Sequence, residues 1–340
     1  MIRATSQEPR ATVGDLTERE LIARIQHHLP PPPDWMPIGI GDDAAVVVPE
    51  RNRLEVLSVD ALVEGVHFDR AFTPPAAIGH RALAVNLSDL AAMGAAPRLC
   101  LLSLALPPAW PVHDFDAMVG GLAALAARYG VHVAGGNLTK SPGPLLIDVT
   151  VSGSVKRRQA LTRAGARPGD ELYVTGSLGA AAAGLQMLQS HPGMSASGPC
   201  IQRFLYPEPR VQTGKLLGRN RAAGACVDLS DGLADGIHHL ADRSGVGAVI
   251  DGDALPIEPA ARDWFKAHAA DPMMAVITGG DDYELLFTVR PRTRGRLRGA
   301  MRQGDTALTR IGVCTVDRAI VLRGERAGDR PVPTGYTHFR

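Results

Sequence analysis

Aspartates beside uncharged segments are the residues of this sequence whose type and spacing could do chemistry. Asp42 and Asp43 are adjacent in GIGDDAAVVV, residues 39–48, directly before a run of valines. Two carboxylates about 4 Å apart repel each other by roughly 4 kcal/mol at an effective dielectric constant near 20. If this pair enters a buried strand, a cation or hydrogen-bond donors must neutralise or bind the two carboxylates.

The same feature recurs at four further places. Asp89 is the only charged residue in ALAVNLSDLAAMGAAP, residues 82–97, and the other places hold Asp60, the pair Asp228 and Asp231, and the pair Asp281 and Asp282. One such aspartate alone is typical of a turn or a helix N-cap, where its neighbours are usually polar. Five together favour oxygen ligands for Mg²⁺, which leaves coordination positions for phosphate oxygens. We therefore expect a phosphate-rich substrate.

Strand-like and helix-like segments alternate along the chain, which predicts an α/β (α+β layered) fold of two domains. The predicted helices include residues 17–29, residues 74–93 around Asp89, and a segment near 209–219, and a strand is predicted within residues 283–289. The predicted organisation is a flexible N-terminal extension at residues 1–15, an N-terminal domain at 16–155 and a C-terminal domain at 156–340.

Composition and charge exclude several classes of protein. Lys and Arg total 36 against 35 Asp and Glu, a balance that argues against a nucleic-acid partner or an anionic membrane surface. The six arginines of residues 290–302 lack interleaved aromatic residues, so we interpret this segment as a solvated helix or loop face. No apolar stretch has the length of a membrane span, and residues 1–15 do not resemble a signal peptide. The four separated cysteines are typical of core residues in a reduced, cytoplasmic protein.

The familiar nucleotide and metal motifs do not match. GIGDDA fits the pattern G-x-G-x-x-A, but β-branched residues follow it instead of a helix. The chain has no G-x-x-x-x-G-K-[ST] segment, no kinase H-R-D or D-F-G set, and no His/Cys cluster with the spacing of zinc ligands. The strand-to-helix turn in YVTGSLGAAAAG, residues 173–184, could face an anion, but we interpret it as tight packing.

The motifs as an ordered set resemble one family closely, the thiamine-monophosphate kinases of the aminoimidazole-ribonucleotide-synthetase-like superfamily. The matching segments run from about residue 38 to 339 and are GIGDDAAVV, SVDALVEGVHF, ALAVNLSDLAAMGA, GGNLTK, ALTRAGARPGD, VDLSDGLADG, GGDDYELLFTV and GYTHF. The resemblance implies a two-domain fold of this superfamily, in which the N-terminal domain binds ATP and Mg²⁺ and forms a homodimer. It also implies transfer of the ATP γ-phosphoryl group to thiamine monophosphate, which gives thiamine diphosphate.

The resemblance further implies roles for individual residues. Several Mg²⁺ ions would be held by Asp43, Ser58, Val59, Asp60, Asp89, Asn137, Asp228 and Asp231. ATP would contact Gly136, Asn137, Arg163 and Ser230, and thiamine monophosphate would contact His67, Asp281 and Tyr336. Asp42 would form part of a turn, or it would contact the residues that bind Mg²⁺ without binding the ion itself.

Three positions depart from the family pattern. Asn137 stands where an aspartate is common, so its amide oxygen could still bind Mg²⁺ but would add no charge. Val59 replaces a common threonine, which changes nothing if that residue binds through its carbonyl oxygen. Asp281 replaces a common glutamate and shortens the side chain by one methylene.

The implied reaction agrees with the residue types that the chain offers. The acceptor phosphate has a second pKa near 6, so at pH 7 it is mostly a dianion and needs no general base. ATP and the acceptor bring about six negative charges together, and Mg²⁺ with a cationic arginine offsets their repulsion. The aspartates would therefore hold metal and would not act as acids or bases.

Two other functions stay open at this point. A related synthetase of the same superfamily would share the aspartate-rich ATP site, although this chain lacks the early reactive cysteine of selenophosphate-type enzymes and the cysteine-bearing tail of hydrogenase-maturation relatives. A non-catalytic regulator that binds metal or nucleotide is the second alternative, and Asn137 is the one residue that favours it.

Overall fold

The computed structural model describes residues 11–191, 197–304, 306–324 and 328–335. The chain divides into two compact units. Unit 1 comprises Met1–Pro49, Val59–Leu83 and Arg98–Val151, and unit 2 comprises Glu50–Ser58, Ala84–Pro97 and Ser152–Arg340. The division predicted at residue 156 stays a prediction.

The first sheet has four strands in the order β1-β4-β2-β3. They are β1 (Arg53–Val63), β2 (Ala96–Leu106), β3 (His132–Lys140) and β4 (Leu146–Lys156). Strands β2 and β3 are parallel, with Leu99 opposite His132 and Leu106 opposite Lys140. The chain between them forms helix α3 (Val112–Tyr129), which is the crossover that a parallel pair requires.

Two further helices precede α3. Helix α1 (Glu18–His28) confirms the helix predicted at residues 17–29, and its N-cap Thr17 forms a capping box with Glu20. Helix α2 (Pro75–Ala92) confirms the helix predicted at residues 74–93. Within unit 1, a Cβ on Gly79 of α2 would lie 1.8 Å from the Met118 carbonyl oxygen, so glycine is needed where α2 meets α3.

The second sheet has seven strands in the order β11-β10-β7-β9-β5-β8-β6. They are β5 (Glu171–Thr175), β6 (Cys226–Asp228), β7 (Gly247–Asp251), β8 (Leu285–Val289), β9 (Leu308–Thr315), β10 (Ile320–Arg323) and β11 (Arg330–Pro331). Strand β10 is parallel to β7, and the other five pairs of neighbouring strands in this sheet are antiparallel. Strand β8 confirms the strand predicted within residues 283–289.

Seven helices accompany this sheet: α4 (Ala180–Ser190), α5 (Pro199–Leu205), α6 (Val211–Asn220), α7 (Leu233–Ser244), α8 (Pro259–Ala267), α9 (Pro272–Thr278) and α10 (Arg294–Met301). Helix α6 confirms the helix predicted near residues 209–219. Arg294, Arg296 and Arg298 of α10 are exposed while Leu297 is buried, which confirms a solvated basic face.

The core of unit 2 is a single apolar cluster under the second sheet, with Leu172, Leu286 and Phe265 fully buried. All four cysteines are buried and free, as their scattered positions predicted. In the described part of the chain, no helix has the length and apolar character to cross a membrane.

Candidate active site

Helix α2 places two consecutive polar residues against two different strands of unit 2. The Ser58 hydroxyl of β1 donates a hydrogen bond to the Asp89 carboxylate. The Ser88 hydroxyl donates to Asp228 Oδ2 at the end of β6 over 2.7 Å. Successive residues of a helix point about 100° apart, so neighbours on α2 can reach different partners. The apolar helix thus brings Asp89 and Asp228 to one region of the molecule.

Ser58, Asp89 and Asp228 line a cavity of about 510 Å³ that lies within unit 2. Its charged and hydroxyl-bearing walls come from Ser58, Asp89, Thr162, Arg163, Asp228 and Arg243. Apolar residues such as Val56, Leu57 and Met93 complete the wall. The cavity therefore combines two carboxylates and two guanidinium groups with an apolar surface, as a site for an anionic organic ligand would require.

The charge state of Asp89 depends on its surroundings. Burial raises the pKa of the Asp89 carboxyl, while the Ser58 hydrogen bond and the positive charge of Arg163 oppose that rise. A cation next to Asp89 would favour its ionised form in the same way that Arg163 does.

The donor atoms at this cavity are hard oxygens. Burial and the charge of Asp228 raise the pKa of the Cys226 thiol far above neutral, so Cys226 does not offer a soft thiolate. Two carboxylates and the Ser58 hydroxyl are a donor set that fits Mg²⁺ when phosphate oxygens and water complete its coordination. Among the residues that the structure describes, no three His, Cys, Asp or Glu side chains are grouped so as to hold a metal on their own.

A second group of predicted residues meets where the segment after α9 contacts the segment after β6. The Asp281 N–H donates to the Ser230 carbonyl oxygen over 2.7 Å. The Ser230 hydroxyl donates to Asp231 Oδ2 over 3.3 Å, and the Tyr283 hydroxyl donates to Asp281 Oδ1 over 3.1 Å. Asp281 and Tyr283 have φ values of 68° and 50°, a left-handed conformation that is uncommon for residues other than glycine.

Asp282 points away from this group and caps a helix. Its carboxylate accepts two contacts, 3.1 and 2.8 Å long, from the Gly179 N–H at the start of α4. Burial raises its pKa to about 7, and the nearby Glu284 adds to the rise, while the Gly179 hydrogen bond and Arg203 oppose it. This cap accounts for the turn in residues 173–184, because the N–H groups at the start of α4 meet an internal carboxylate.

Glu284 is buried beside that cap and is held by two arginines. Arg203 and Arg210 each contact it over 2.5 Å, and the Thr175 hydroxyl donates to it over 2.5 Å. Burial alone would raise the pKa of Glu284, but Arg210 and Arg203 outweigh burial and lower it. The network joins β5, β8 and the two segments that carry the arginines.

Apart from Tyr336, the remaining predicted residues lie in unit 1. Asp60 and Val59 are in β1, and Asn137 is in β3 opposite Ser103 of β2. The Asp42 carboxylate accepts from the Asp43 N–H over 2.9 Å.

Two unit 1 positions have a local structural explanation. His67 Nδ1 accepts from the Val63 N–H over 3.1 Å, which orients the ring at the end of β1. A Cβ on Gly136 would lie 1.8 Å from the Leu102 carbonyl oxygen, so glycine is needed there for strand contact.

The structure therefore groups two sets of predicted residues within unit 2. Ser58, Asp89, Arg163 and Asp228 line one cavity, and Ser230, Asp231 and Asp281 contact one another in a second group. Tyr336 lies outside the described residues. Sequence reasoning missed Ser88 and Arg243 at the cavity, and it missed the helix cap of Asp282 and the arginine network of Glu284. A serine buried beside Asp89 in an apolar helix was the one available signal for Ser88.

Comparison with known proteins first defines the class. Residues 41–155 match the family model of the AIR synthase related protein, N-terminal domain, and residues 167–325 match that of the AIR synthase related protein, C-terminal domain. The predicted two-domain α/β fold of this superfamily is therefore confirmed.

Similar proteins then narrow the class to a family. The thiamine-monophosphate kinase of Bacillus subtilis (strain 168) is 36% identical over 309 residues, which cover 89% of this chain and 94% of the relative. The crystal structure of thiamine-monophosphate kinase from Stenotrophomonas maltophilia K279a is 39% identical with a TM-score of 0.78, and covers 91% of this chain and 96% of that chain. The structure of AaThiL complexed with AMPPCP and TMP is 31% identical with a TM-score of 0.75, and covers 99% of this chain and 100% of that chain. The chain belongs to the thiamine-monophosphate kinase family, and it is a kinase.

Proposed function

We propose that this chain transfers the γ-phosphoryl group of ATP to thiamine monophosphate and so forms thiamine diphosphate. The names of its relatives support this activity, and the complex of AaThiL with AMPPCP and TMP supports the two substrates. The observation on this chain that carries the proposal is the unit 2 cavity, which Asp89, Asp228 and Arg163 all line. This combination suits a substrate that arrives as a metal-bound polyphosphate.

The oxygen donors of the chain would hold several Mg²⁺ ions. Asp89, Asp228 and Ser58 are the donors at the cavity, and Val59 would bind through its main-chain carbonyl oxygen. The remaining ligands are Asp43, Asp60, Asn137 and Asp231. When bound, Mg²⁺ neutralises phosphate charge and polarises the transferred phosphoryl group.

Arg163 would bind ATP phosphates through its planar guanidinium, with Gly136, Asn137 and Ser230 as the other nucleotide contacts. A dianionic acceptor phosphate attacks without a general base.

Thiamine monophosphate would bind to His67, Asp281 and Tyr336. The thiazolium ring of thiamine is a cation, so the Asp281 carboxylate would attract it and the Tyr336 ring would offer a π face. The hydrogen bond from the Tyr283 hydroxyl holds the Asp281 carboxylate in place, which supports a fixed recognition group.

The active protein would be a homodimer that buries the first sheet. In β1, Val59 is 56% exposed, and in β2, Leu101 is 42% exposed, although both are large apolar residues. A sheet face with such residues gains stability when a second copy covers it. Leu101→Glu should therefore convert a dimer into a monomer in sedimentation analysis, and a monomeric wild-type protein would overturn this part of the proposal.

A substrate comparison tests the proposed reaction. The purified protein with MgATP should release ADP and form thiamine diphosphate when thiamine monophosphate is added. Thiamine, which lacks the acceptor phosphate, should give neither product. ADP release with formylglycinamidine ribonucleotide alone, or ATP binding without turnover of any acceptor, would contradict the proposal and favour a synthetase or a regulator.

A further inference from the structure

The last two residues of α7, Arg243 and Ser244, adjoin the cavity and have no role in the scheme above. The Ser244 hydroxyl accepts from the Gly165 N–H over 3.2 Å and from the Ala166 N–H over 3.1 Å. It also donates to the Arg163 carbonyl oxygen over 3.2 Å. A hydroxyl group can donate once and accept twice, so these three bonds use its full capacity. One side chain thus holds three main-chain groups of the segment that carries Arg163.

The segment of residues 162–166 is also fixed from its other side. The Cys226 N–H of β6 donates to the Thr162 carbonyl oxygen over 2.8 Å, and the Thr162 hydroxyl donates to the Ala164 carbonyl oxygen over 2.8 Å. Gly165 has a φ of +118°, and a Cβ there would lie 2.5 Å from the Gly224 carbonyl oxygen. The segment therefore has one conformation that glycine permits and that β6 and Ser244 hold.

Arg243 brings a second guanidinium group to the same cavity as Arg163. The two arginines come from distant parts of the sequence, one before β5 and the other at the end of α7. A guanidinium presents several N–H donors in a plane that matches phosphate oxygens. A pair of them beside two carboxylates suits a metal-bound polyphosphate that carries excess negative charge.

We propose that the end of α7 is part of the nucleotide site, with Ser244 as the positioning residue for Arg163 and Arg243 as a second contact to the phosphates of a nucleoside triphosphate. This inference rests on the proposed function, because it assigns the cavity to ATP. Ser244 acts through the main chain of residues 163–166, and its hydroxyl is already saturated by that segment.

Binding of Mg·AMPPCP, measured by calorimetry, tests the proposal without turnover. Ser244→Ala should weaken binding about tenfold, while Ser244→Thr, which keeps the hydroxyl, should restore it to within about threefold of wild type. Arg243→Gln should weaken binding about tenfold, and Arg262→Gln on the exposed face of α8 serves as the matched control. The KM for ATP should rise in the same proportion while the KM for thiamine monophosphate stays unchanged.

A double variant separates positioning from a general structural effect. If Ser244 acts through Arg163, Ser244→Ala adds no loss of nucleotide affinity in an Arg163→Ala background. Equal losses in both backgrounds, or a Ser244→Ala variant with wild-type affinity, would overturn the positioning role. Wild-type affinity in Arg243→Gln would overturn the second contact. If the wild-type protein binds Mg·AMPPCP but does not phosphorylate thiamine monophosphate, the proposed function fails while this inference survives.

Discussion

The Ser88 hydroxyl donates a 2.7 Å hydrogen bond to the Asp228 carboxylate and so joins two buried residues that are 140 positions apart in the chain. Ser88 is followed by Asp89, whose carboxylate receives the Ser58 hydroxyl. One turn of α2 therefore organises both carboxylates of the cavity. The proposed metal site depends on this arrangement of Ser88 and Asp89.

Loss of the Ser88 hydroxyl should destabilise unit 2. Ser88→Ala leaves the buried Asp228 carboxylate without one of its donors, which should lower the free energy of unfolding by about 1–3 kcal/mol in urea denaturation. Ser190→Ala, at the exposed end of α4, is the control and should change it by less than about 0.5 kcal/mol. Equal stability of the two variants would mean that the bond between Ser88 and Asp228 contributes little.

Removal of the Asp89 charge should lower activity without lowering stability. Asp89→Asn should lower kcat by at least about 100-fold, because the proposed Mg²⁺ site would lose a ligand. Burial raises the pKa of Asp89, so the ionised carboxylate costs stability above that pKa in metal-free protein. The variant should therefore melt at the same temperature as wild type or higher at pH 8.

Asp263→Asn on α8, an exposed site, is the control for this experiment. If Asp89→Asn unfolds the protein while activity per folded molecule is retained, Asp89 is a structural residue.

Asp282 should give stability a specific pH dependence. Its pKa rises from 3.8 to about 7 on folding, mainly through burial, so the folded protein holds this proton more tightly than the unfolded chain does. The resulting stabilisation is complete below about pH 4 and is lost as the pH rises to about 7. Asp282→Asn cannot lose a proton, so its stability relative to wild type should increase by a few kcal/mol over that interval.

Urea denaturation of both proteins between pH 4 and 8 measures this difference. The other titratable groups are the same in both proteins, so their contributions to the pH dependence of stability cancel in the comparison. Parallel stability curves would show that Asp282 has an ordinary pKa in the folded protein.

The end of the described chain should affect the acceptor substrate. A Cβ on Gly335 would lie 2.4 Å from the Cβ of Asp235 near the start of α7, so Gly335→Ala should displace the segment that leads to Tyr336. His238 holds the same segment through the Pro333 carbonyl oxygen at 3.2 Å. If Tyr336 contacts thiamine monophosphate, the KM for that substrate should rise about tenfold while the KM for ATP stays constant.

Gly299→Ala in α10 is the matched control, because nothing lies within 4 Å of the added Cβ. A parallel change of both KM values in Gly335→Ala would indicate a general disturbance and would remove the support for Tyr336.

The sequence drew attention to the aspartates of the candidate site but not to the side chains that contact them. Asp89 could be singled out because it is the one charged residue of residues 82–97. Asp281 and Asp282 are adjacent residues of the same type. Their side chains have different partners because the backbone at Asp281 and Tyr283 is left-handed, which the residue types do not predict. The strand order was also unpredictable, since β9 lies between β7 and β5 through contacts between distant segments. Helices α1, α2 and α6 were predictable because their signals are local.

Asp89 and Asp228 should hold divalent metal when both substrates are bound. Electron paramagnetic resonance can count bound Mn²⁺ in the protein saturated with AMPPCP and thiamine monophosphate. Asp89→Asn and Asp228→Asn should each lose at least one bound ion relative to wild type, while Ser190→Ala should lose none. An unchanged number of bound ions in both aspartate variants would contradict the proposed metal site.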